Sequence, residues 1–404
     1  MSTSAEQAGR LPERVRTPSA DVLRRFLQGD LASLRVFVVL AFIWAIFQIE
    51  NSHFLTALNL TNLFLQITAV GLISVGVVFV LLLGEIDLSV GAVSGLTSAV
   101  MAVLLSKHGW SAYTAIGAAL FCGLVWGVIQ GGLFTQFGIP SFVVTLAGLL
   151  IAQGALLKVL GNTGTVNITS SKVAGLTSTT YSKGVGWVMA IVVIAAYAGG
   201  TLWALRDRMR KGLADTQLMG PVVRIVLVAA GTIATVAVLN ANRGVPLAVI
   251  ILVAFVAGMQ YVATRTRFGR HVYAVGGNAE AARRAGIRVS SVRIAVFGLA
   301  GTMSAIGGVM AASRSLAVTQ TSGGSDLLLL AIAGPVIAGT SLFGGRGTVW
   351  SALLGALVIG SISNGMDLLA LDSSIKFMVT GGVLLAAVVV DALARRSRQA
   401  EGRV

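Results

Sequence analysis

Long apolar runs separated by short polar segments are the main pattern of this chain of 404 residues. Runs of roughly 17 to 25 apolar residues can cross a bilayer as helices. Such runs lie near 33–49, 62–84, 88–105, 112–136, 140–160, 185–205, 222–240, 245–263, 294–313, 327–342, 349–371 and 375–394. The pattern predicts an all-α fold, a polytopic membrane helix bundle of about twelve spans. Two closely spaced pairs, 62–105 and 112–160, have room for a re-entrant piece, which would leave ten spans.

A single transmembrane domain, residues 33–394, accounts for most of the chain, and a basic tail flanks it on each side. The tail 395–404 is predicted to be cytoplasmic. The tail 1–32 contains apolar residues at the spacing of a short membrane-surface helix, although a disordered tail fits it equally well. These residues are Val22, Leu23, Phe26 and Leu27. No cleavage-like site precedes the first run, so we expect that run to be a retained span.

Lysine and arginine are divided unevenly between the two predicted sides of the membrane. With the N-terminus inside, the inside segments carry 23 of the 30 basic residues and the outside segments carry the other seven. An excess of basic residues marks the cytoplasmic side, so both termini are predicted to be cytoplasmic. The seven outside are Lys107, Lys158, Lys172, Lys183, Arg243, Arg314 and Lys376.

Composition excludes several classes of protein. Mean hydropathy is +0.87 and only 11% of residues are charged, so the bilayer must be the solvent for most of the chain. The net charge of +15 is spread over short loops, so we expect no nucleic-acid partner. The single cysteine, Cys122, can form no internal disulfide, and three scattered histidines suggest no metal site. We expect no cofactor.

Small residues recur at helical spacing in two of the runs. Gly123, Gly127 and Gly131 stand four residues apart, which predicts a helix face that a neighbouring helix approaches closely. Gly355, Gly360 and Gly365 recur every five residues near the C-terminus. Both sets indicate a tightly packed bundle.

The loop 264–293 lies between two apolar runs and carries seven arginines against one acid, Glu280. Attraction to anionic lipid would explain the arginines. It would not explain why Asn278, a good N-cap, precedes an alanine-rich stretch of helix formers that ends at Gly286. We interpret this part of the loop as a short helix that couples the protein to a partner. The candidate coupling residues are Gly276, Gly277, Asn278, Glu280, Arg283, Arg284 and Gly286.

An acidic turn, 84–91, separates the second and third runs. An acid at the centre of a membrane helix costs about 2.5–3.5 kcal/mol, so Glu85 and Asp87 must face a cavity, the protein interior or the inner membrane surface. Asp87 and Ser89 are also placed to cap a helix beginning at Leu88. A gate and a helix cap are equally good interpretations of this turn. The candidate gate residues here are Gly84, Glu85, Asp87, Ser89 and Gly91.

A second glycine-rich turn, 339–348, follows another apolar run and suggests an internal repeat. Its candidate gate residues are Gly344, Gly345, Arg346 and Gly347. Gly339 and Gly344 have the spacing of a phosphate-binding loop, but Gly345 stands where that loop needs lysine. We therefore expect that the chain does not bind ATP and is not an enzyme.

Taken together, these segments resemble the permease subunits of bacterial ATP-binding-cassette sugar importers of the ribose, xylose and arabinose branch. The resemblance covers roughly 60 to 395 and includes the motif Asn364-Gly-Met-Asp-Leu-Leu369. It is strongest to the xylose type, because the segment near 185–240 adds two spans. The run Arg243-Gly-Val-Pro246, which leads to Arg265-Thr-Arg-Phe-Gly-Arg-His271, also matches that type.

The resemblance implies a function and a set of partners. The chain would be a multi-pass protein of the bacterial plasma membrane that moves a monosaccharide, with D-xylose the expected sugar, to the cytoplasm. Its expected partners are a cytoplasmic ATP-binding subunit, an extracytoplasmic sugar-binding protein and a second permease copy. Residues 276–286 match the coupling helix that contacts the ATP-binding subunit in this family.

Polar residues within the spans are candidates for lining the sugar path, although each also suits a helix–helix hydrogen bond. The candidates are Gln66, Trp126, Gln130, Asn364 and Asp367. Two alternatives to the sugar importer stay open. One is a proton-coupled secondary transporter that uses Glu85 and Asp87. The other is a related ATP-driven permease for another small polar solute.

Overall fold

The computed structural model describes residues 36–212 and 219–400. The predicted surface helix at 22–27 lies outside the described residues. The helices are α1 (Val36–Glu50), α2 (Ala57–Leu82), α3 (Val90–Ser106), α4 (Ala112–Phe137), α5 (Ser141–Leu160), α6 (Ser171–Ser178), α7 (Lys183–Arg210), α8 (Met219–Ala241), α9 (Leu247–Arg265), α10 (Arg267–Gly277), α11 (Ala279–Arg284), α12 (Val289–Ser315), α13 (Ser325–Ile337), α14 (Trp350–Leu368) and α15 (Ser373–Ala400). Four short strands are β1 (Thr165–Asn167), β2 (Thr180–Tyr181), β3 (Val245–Pro246) and β4 (Ala317–Thr319).

The predicted helical fold is confirmed, because each of the twelve apolar runs contains a helix. Among the described residues, eight helices are long and apolar enough to cross a membrane: α2, α4, α5, α7, α8, α9, α12 and α14. The other four apolar helices, α1, α3, α13 and α15, are shorter over their apolar parts.

The two ends of the bundle differ in the structure of their connections. At the strand end, β1 pairs with β4 and β2 pairs with β3, both antiparallel, with Val166 opposite Val318. The Ser106 hydroxyl at the end of α3 donates to the Asn167 carbonyl at 2.8 Å, which ties α3 to this end. At the opposite end, called the turn end, lie the connections 83–89, 266–288 and 338–349.

Helix α2 lies at the centre of the bundle, and most of its residues are buried against α12, α14 and α9. It is apolar on all sides, which suits a helix surrounded by other helices. Helices α7 and α8 pack mainly against each other and leave most of their apolar surface exposed. That surface matches the lipid-facing periphery of a membrane bundle.

The predicted close approach of helices at glycine is confirmed between α4 and α12. A methyl group added to Gly127 would lie 2.0 Å from the Phe297 carbonyl oxygen, and one added to Gly123 would lie 2.4 Å from the Gly301 carbonyl oxygen. Gly131 packs in the same way against the α12 backbone. The glycines of α14 also contact neighbours, since Gly355 meets the backbone of Gly334. Only a residue without a side chain permits these distances.

Helices α3 and α13 both begin inside the bundle and not at its surface. The Ser89 hydroxyl, just before α3, lies 3.0 Å from Gln130 Oε1. Gln130 is seven residues from the end of α4, so α3 begins about 10 Å in from the turn end. Helix α13 begins beside it, because a methyl group on Gly91 would lie 3.1 Å from the Leu328 Cβ atom. Non-helical backbone therefore precedes both helices within the bundle.

Two predicted boundaries of these helices are wrong. Helix α3 begins at Val90 and not at Leu88, because residues 88 and 89 still belong to the non-helical segment that enters the bundle. The predicted run 327–342 contains a helix that ends at Ile337. Gly339 there adopts a φ of 97°, and the Thr340 N–H donates to the Pro335 carbonyl at 2.9 Å, which closes the last turn.

Replacing Gly127 with alanine is expected to separate α4 from α12, since the new methyl group would overlap the Phe297 carbonyl. Overpacking of this kind costs on the order of 1–3 kcal/mol. The measurement is the temperature at which half of the detergent-solubilised protein stops eluting as a single species, and it should fall by several degrees.

Gly132 is the matched control, because it stands on the same helix with nothing within 4 Å of an added methyl group. Gly132→Ala should leave stability unchanged or raise it by up to about 1 kcal/mol, because alanine favours a helix more than glycine does. Equal losses in the two variants would show that the close approach at Gly127 does not explain the first result, because alanine favours a helix over glycine at both positions.

Candidate functional site

The short helix predicted within 276–286 is present as α11, and its coupling role stays a prediction. The Asn278 side chain accepts a hydrogen bond from the Ala281 N–H at 2.9 Å, as expected of an N-cap. Glu280 in the first turn pairs with Arg283 at 2.9 Å and with Arg284 at 3.3 Å. Gly286 ends the helix with a φ of 83°. The predicted cap, helix and glycine stop are confirmed, and the three charged side chains are exposed.

A second helix, α10, precedes α11 and was not predicted. The Thr266 hydroxyl caps it by accepting from the Gly269 N–H at 3.2 Å. Its apolar face packs on the core through Phe268, Val272 and Val275. Their spacing of four and three residues is typical of one face of a helix, and this pattern could have predicted α10. This face anchors α10, and the anchored helix holds α11 at the surface.

Glycines from three separate segments meet at the turn end. We call Gly84, Gly276, Gly277, Gly344 and Gly345 the glycine junction. A methyl group on Gly276 would lie 1.7 Å from the carbonyl oxygen of Leu82. The same carbonyl accepts a hydrogen bond from the Gly345 N–H at 2.9 Å. The end of α10 is thereby seated directly on the end of α2 and on the turn 338–349.

The remaining contacts of the glycine junction are also between main chains. A methyl group on Gly344 would lie 2.7 Å from the Gly276 carbonyl oxygen and 2.8 Å from the Gly84 nitrogen. Gly84 and Gly344 have φ values of 78° and 83°, which L side chains rarely adopt. These positions need glycine both for the space and for the backbone conformation. The two turns singled out as candidate gates are therefore in contact with each other and with the basic loop.

Two side-chain hydrogen bonds reinforce this assembly. The Tyr273 hydroxyl on α10 donates to the Gly347 carbonyl at 2.8 Å. Burial raises the pKa of the Tyr273 phenol, so the hydroxyl keeps its proton and remains a donor. The Gln260 side chain on α9 accepts from the Val349 N–H at 2.8 Å. Arg346, also a candidate, has an exposed side chain, and its carbonyl accepts from the Ser341 N–H.

An ion pair joins the acidic turn to the end of the basic loop. Arg293 Nη2 lies 3.0 Å from Glu85 Oε1, and both side chains are largely buried. The Arg293 guanidinium also stacks 4.8 Å above the Phe134 ring of α4. In the sequence, Arg293 is one of seven arginines that mark the inside of the membrane, and no local pattern pairs it with Glu85. The turn 83–89 is thus held by charge as well as by backbone contact.

Asp87 and Ser89 do not cap α3 with their side chains, so that interpretation is wrong. Ser89 is the N-cap residue, but its hydroxyl makes no hydrogen bond to the helix. It lies 2.7 Å from Asp87 Oδ1 and 3.0 Å from Gln130 Oε1. The Ser89 N–H also donates to Asp87 Oδ1, at 2.8 Å. Buried Asp87, Ser89 and Gln130 therefore hold the backbone that precedes α3 inside the bundle, and Gln130 links it to α4.

Three of the five candidates for the sugar path have polar partners, and these partners are separate. Asn364 accepts from the Asn59 side chain at 2.8 Å, Asp367 pairs with Lys376, and Gln130 lies beside Ser89. Trp126 is half-buried, and within the described residues its Nε1 has no hydrogen-bond partner. Gln66 is half-buried on α2. No hydrogen bond found between described residues joins one candidate to another, so their role in a path stays a prediction.

Comparison with known proteins gives matches along almost the whole chain. Residues 59–388 match the family model described as branched-chain amino acid transport system, permease component. The chain is 38% identical to the xylose transport system permease protein XylH of Escherichia coli K12, over 90% of this chain and 93% of that protein. It is 34% identical to XylH of Haemophilus influenzae, over 89% and 96%. It is 32% identical to the ribose import permease protein RbsC of Bacillus subtilis, over 91% and 95%. No solved structure matches it significantly.

Removing the Glu85 charge is expected to destabilise the turn end. Glu85→Gln leaves the Arg293 guanidinium largely buried without its counter-charge, which costs about 1.5–3 kcal/mol. Thermal unfolding of the detergent-solubilised protein would report the loss. The exchange Glu85→Arg with Arg293→Glu should recover part of it.

Glu280→Gln is the matched control, because it removes an acid from an exposed pair, for which we expect a cost of at most about 1 kcal/mol. If the two single variants unfold at the same temperature, the Glu85–Arg293 pair does not hold the turn in place.

Proposed function

This chain belongs to the family of permease components of branched-chain amino acid transport systems, and from that premise we propose that it is the permease subunit of an ATP-driven sugar importer. The sugar we propose is D-xylose or a closely related pentose. Relatives that cover nine-tenths of the chain are named as xylose and ribose permeases. The chain itself translocates and is not the ATP-hydrolysing enzyme.

The glycine junction is the observation that carries this proposal. An importer driven by a partner must transmit a movement at its cytoplasmic surface to the helices around the sugar. Here an exposed charged helix, α11, follows α10 directly, and α10 rests on main chain at the end of α2 and on the turn 338–349. A push on α11 would move these backbones together, because no flexible side chain lies between Gly276 and Leu82.

We place the turn end in the cytoplasm and the strand end outside. Arginines are concentrated at the turn end, on α10, α11 and the segment that leads to α12. All twelve apolar helices would then cross the membrane, with both termini in the cytoplasm. Helices α3 and α13, which are short, would complete their crossings with the non-helical backbone that precedes them. A bacterial plasma membrane is the location this arrangement suits.

The partners follow from the two ends. A cytoplasmic ATP-binding subunit would dock on α11, and an extracytoplasmic sugar-binding protein would dock on the strand end. A second permease copy would complete the complex, as the resemblance to sugar importers implies. Asn278, Glu280, Arg283 and Arg284 are the residues we assign to the ATP-binding subunit, and the glycine junction transmits the movement.

Reversing charge on α11 is expected to uncouple transport. In the reconstituted complex, Arg283→Glu with Arg284→Glu should lower both sugar uptake and sugar-stimulated ATP hydrolysis by tenfold or more, because both arginines are exposed to the partner. Arg208→Glu is the control, since Arg208 is an exposed arginine near the turn end of α7. A double variant with normal uptake would contradict the assignment of α11.

The energy source separates this proposal from a proton-coupled transporter. In proteoliposomes that hold the assembled complex, uptake of labelled D-xylose should require ATP and the sugar-binding protein and should survive collapse of the proton gradient. Uptake by the purified chain alone that follows the proton gradient would favour the transporter that uses Glu85 and Asp87. ATP-driven uptake of another small polar solute, with none of xylose, would retain the class and replace the sugar.

A further inference from the structure

Residues 320–324 connect β4 to α13 through the interior of the bundle. Together with Ser325 and Asp326, the first two residues of α13, they are here called the descending segment. A methyl group on Gly95 would lie 2.1 Å from the Ser322 carbonyl oxygen, and one on Gly323 would lie 2.2 Å from the Gly91 carbonyl oxygen. Gly95 is eleven residues from the end of α3, so the segment descends about 16 Å from the strand end. It reaches the depth at which α3 itself begins.

The descending segment is polar and exposed at that depth. The side chains of Gln320, Thr321, Ser325 and Asp326 are all exposed. Hydrocarbon does not tolerate non-helical backbone, and an acid facing lipid is unfavourable. Such a segment occurs at membrane depth only where it is buried in protein or lines water. The exposed face of this segment must therefore meet water or a second protein surface.

A small cavity lies behind the descending segment. It has a volume of about 60 Å³ and lies between α3, α12 and the segment. Its lining includes the hydroxyl groups of Ser94, Ser98, Ser315 and Ser322. The Ser94 and Ser98 hydroxyls donate within their own helix, to Gly91 and Gly95 carbonyls, so their oxygens can still accept. The cavity has room for a few water molecules and not for a sugar ring.

We propose that the descending segment is the wall of the water-filled sugar path, and that Asp326, Ser325 and Thr321 contact the sugar as it passes. This rests on the proposed function for the identity of the solute, but the water-filled path does not depend on it.

The chemistry of the segment suits a neutral, polyhydroxylated solute. Hydroxyl and amide side chains both donate and accept, and the Asp326 carboxylate can accept from two neighbouring sugar hydroxyls. The Ser325 hydroxyl lies 3.3 Å from Asp326 Oδ1, so it is close enough to share such a contact. The small cavity behind the wall would hold the water that hydrates the backbone. A single carboxylate without a tight cage holds such a solute weakly, and weak contact permits release.

The first experiment tests whether water reaches the segment. In a Cys122→Ser background, which removes the single native cysteine, Thr321→Cys and Ser325→Cys are each exposed to a charged methanethiosulfonate reagent in the assembled complex. Both should react at least tenfold faster than Val125→Cys, which replaces an exposed residue on the apolar face of α4. Thr114→Cys, at the strand end of α4, is the positive control. The complex is measured without nucleotide and with ATP.

Slow labelling at both positions in both nucleotide states would overturn the proposal, whether lipid or a second permease copy covers the segment. Two positions are used so that one poorly folded variant does not decide the result. Protection of the fast-reacting cysteines by sugar-loaded binding protein, by threefold or more, would support passage of the sugar along this wall.

The second experiment tests contact with the sugar. Asp326→Asn should lower D-xylose uptake about tenfold while sugar-stimulated ATP hydrolysis stays within twofold of the original. It should also change the order in which deoxy sugars compete. Asp372→Asn is the matched control, since Asp372 is an exposed acid in the connection between α14 and α15. Unchanged uptake and competition in Asp326→Asn would contradict the assignment of this residue.

The two proposals fail in distinguishable ways. If the unaltered complex takes up no sugar with ATP, the proposed function is wrong, and the labelling rates still decide whether the segment lines water. If the unaltered complex transports normally while neither the cysteines nor Asp326→Asn behaves as expected, the sugar path lies elsewhere.

Discussion

Direct contact between main chains is the interaction on which this bundle depends. At Gly127 and Gly301, α4 and α12 approach until the backbone of one helix lies against the other. At Gly276 the same kind of contact seats α10 on the end of α2. In a membrane the hydrophobic effect does not drive helices together, so close packing and the weak polar contacts it permits hold them instead. Glycine therefore determines both the shape of the bundle and the way its turn end is joined to it.

At the turn end, main-chain contacts, an ion pair and a side-chain hydrogen bond join the three connections to one another. Arg293 lies near the start of α12, and it binds the turn that leads into α3 through Glu85. The Tyr273 hydrogen bond fastens α10 to the turn before α14. In the importer proposed above, a displacement of α11 would therefore reach α2, α3 and α14. Each of these helices packs around the bundle centre, where the paths of α3 and α13 meet.

Much of the architecture could be predicted from the sequence, because it depends on local patterns. Run lengths predicted the helices, the spacing of Gly123, Gly127 and Gly131 predicted a packing face, and Asn278 with Gly286 predicted the bounds of α11. The Glu85–Arg293 pair could not be predicted, since two charges distant in the chain carry no sign of each other. Nor could the depth of the descending segment, because Thr321-Ser-Gly-Gly-Ser325 has the composition of an ordinary surface turn. The start of α3 was misplaced for a related reason, as Asp87 and Ser89 resemble a cap but bind each other.

The glycine junction has a consequence for how such a protein can diverge. The contacts of the glycine junction are made by peptide groups, so they do not depend on side chains elsewhere in the bundle. In the proposed mechanism they would transmit a displacement whatever the solute is. In the mechanism proposed above, residues near the descending segment can change, and the preferred solute with them, while the contact with the ATP-binding subunit stays the same. The same contact with an ATP-binding subunit would then serve permeases for different solutes. Each new solute preference would arise from a few substitutions far from α11.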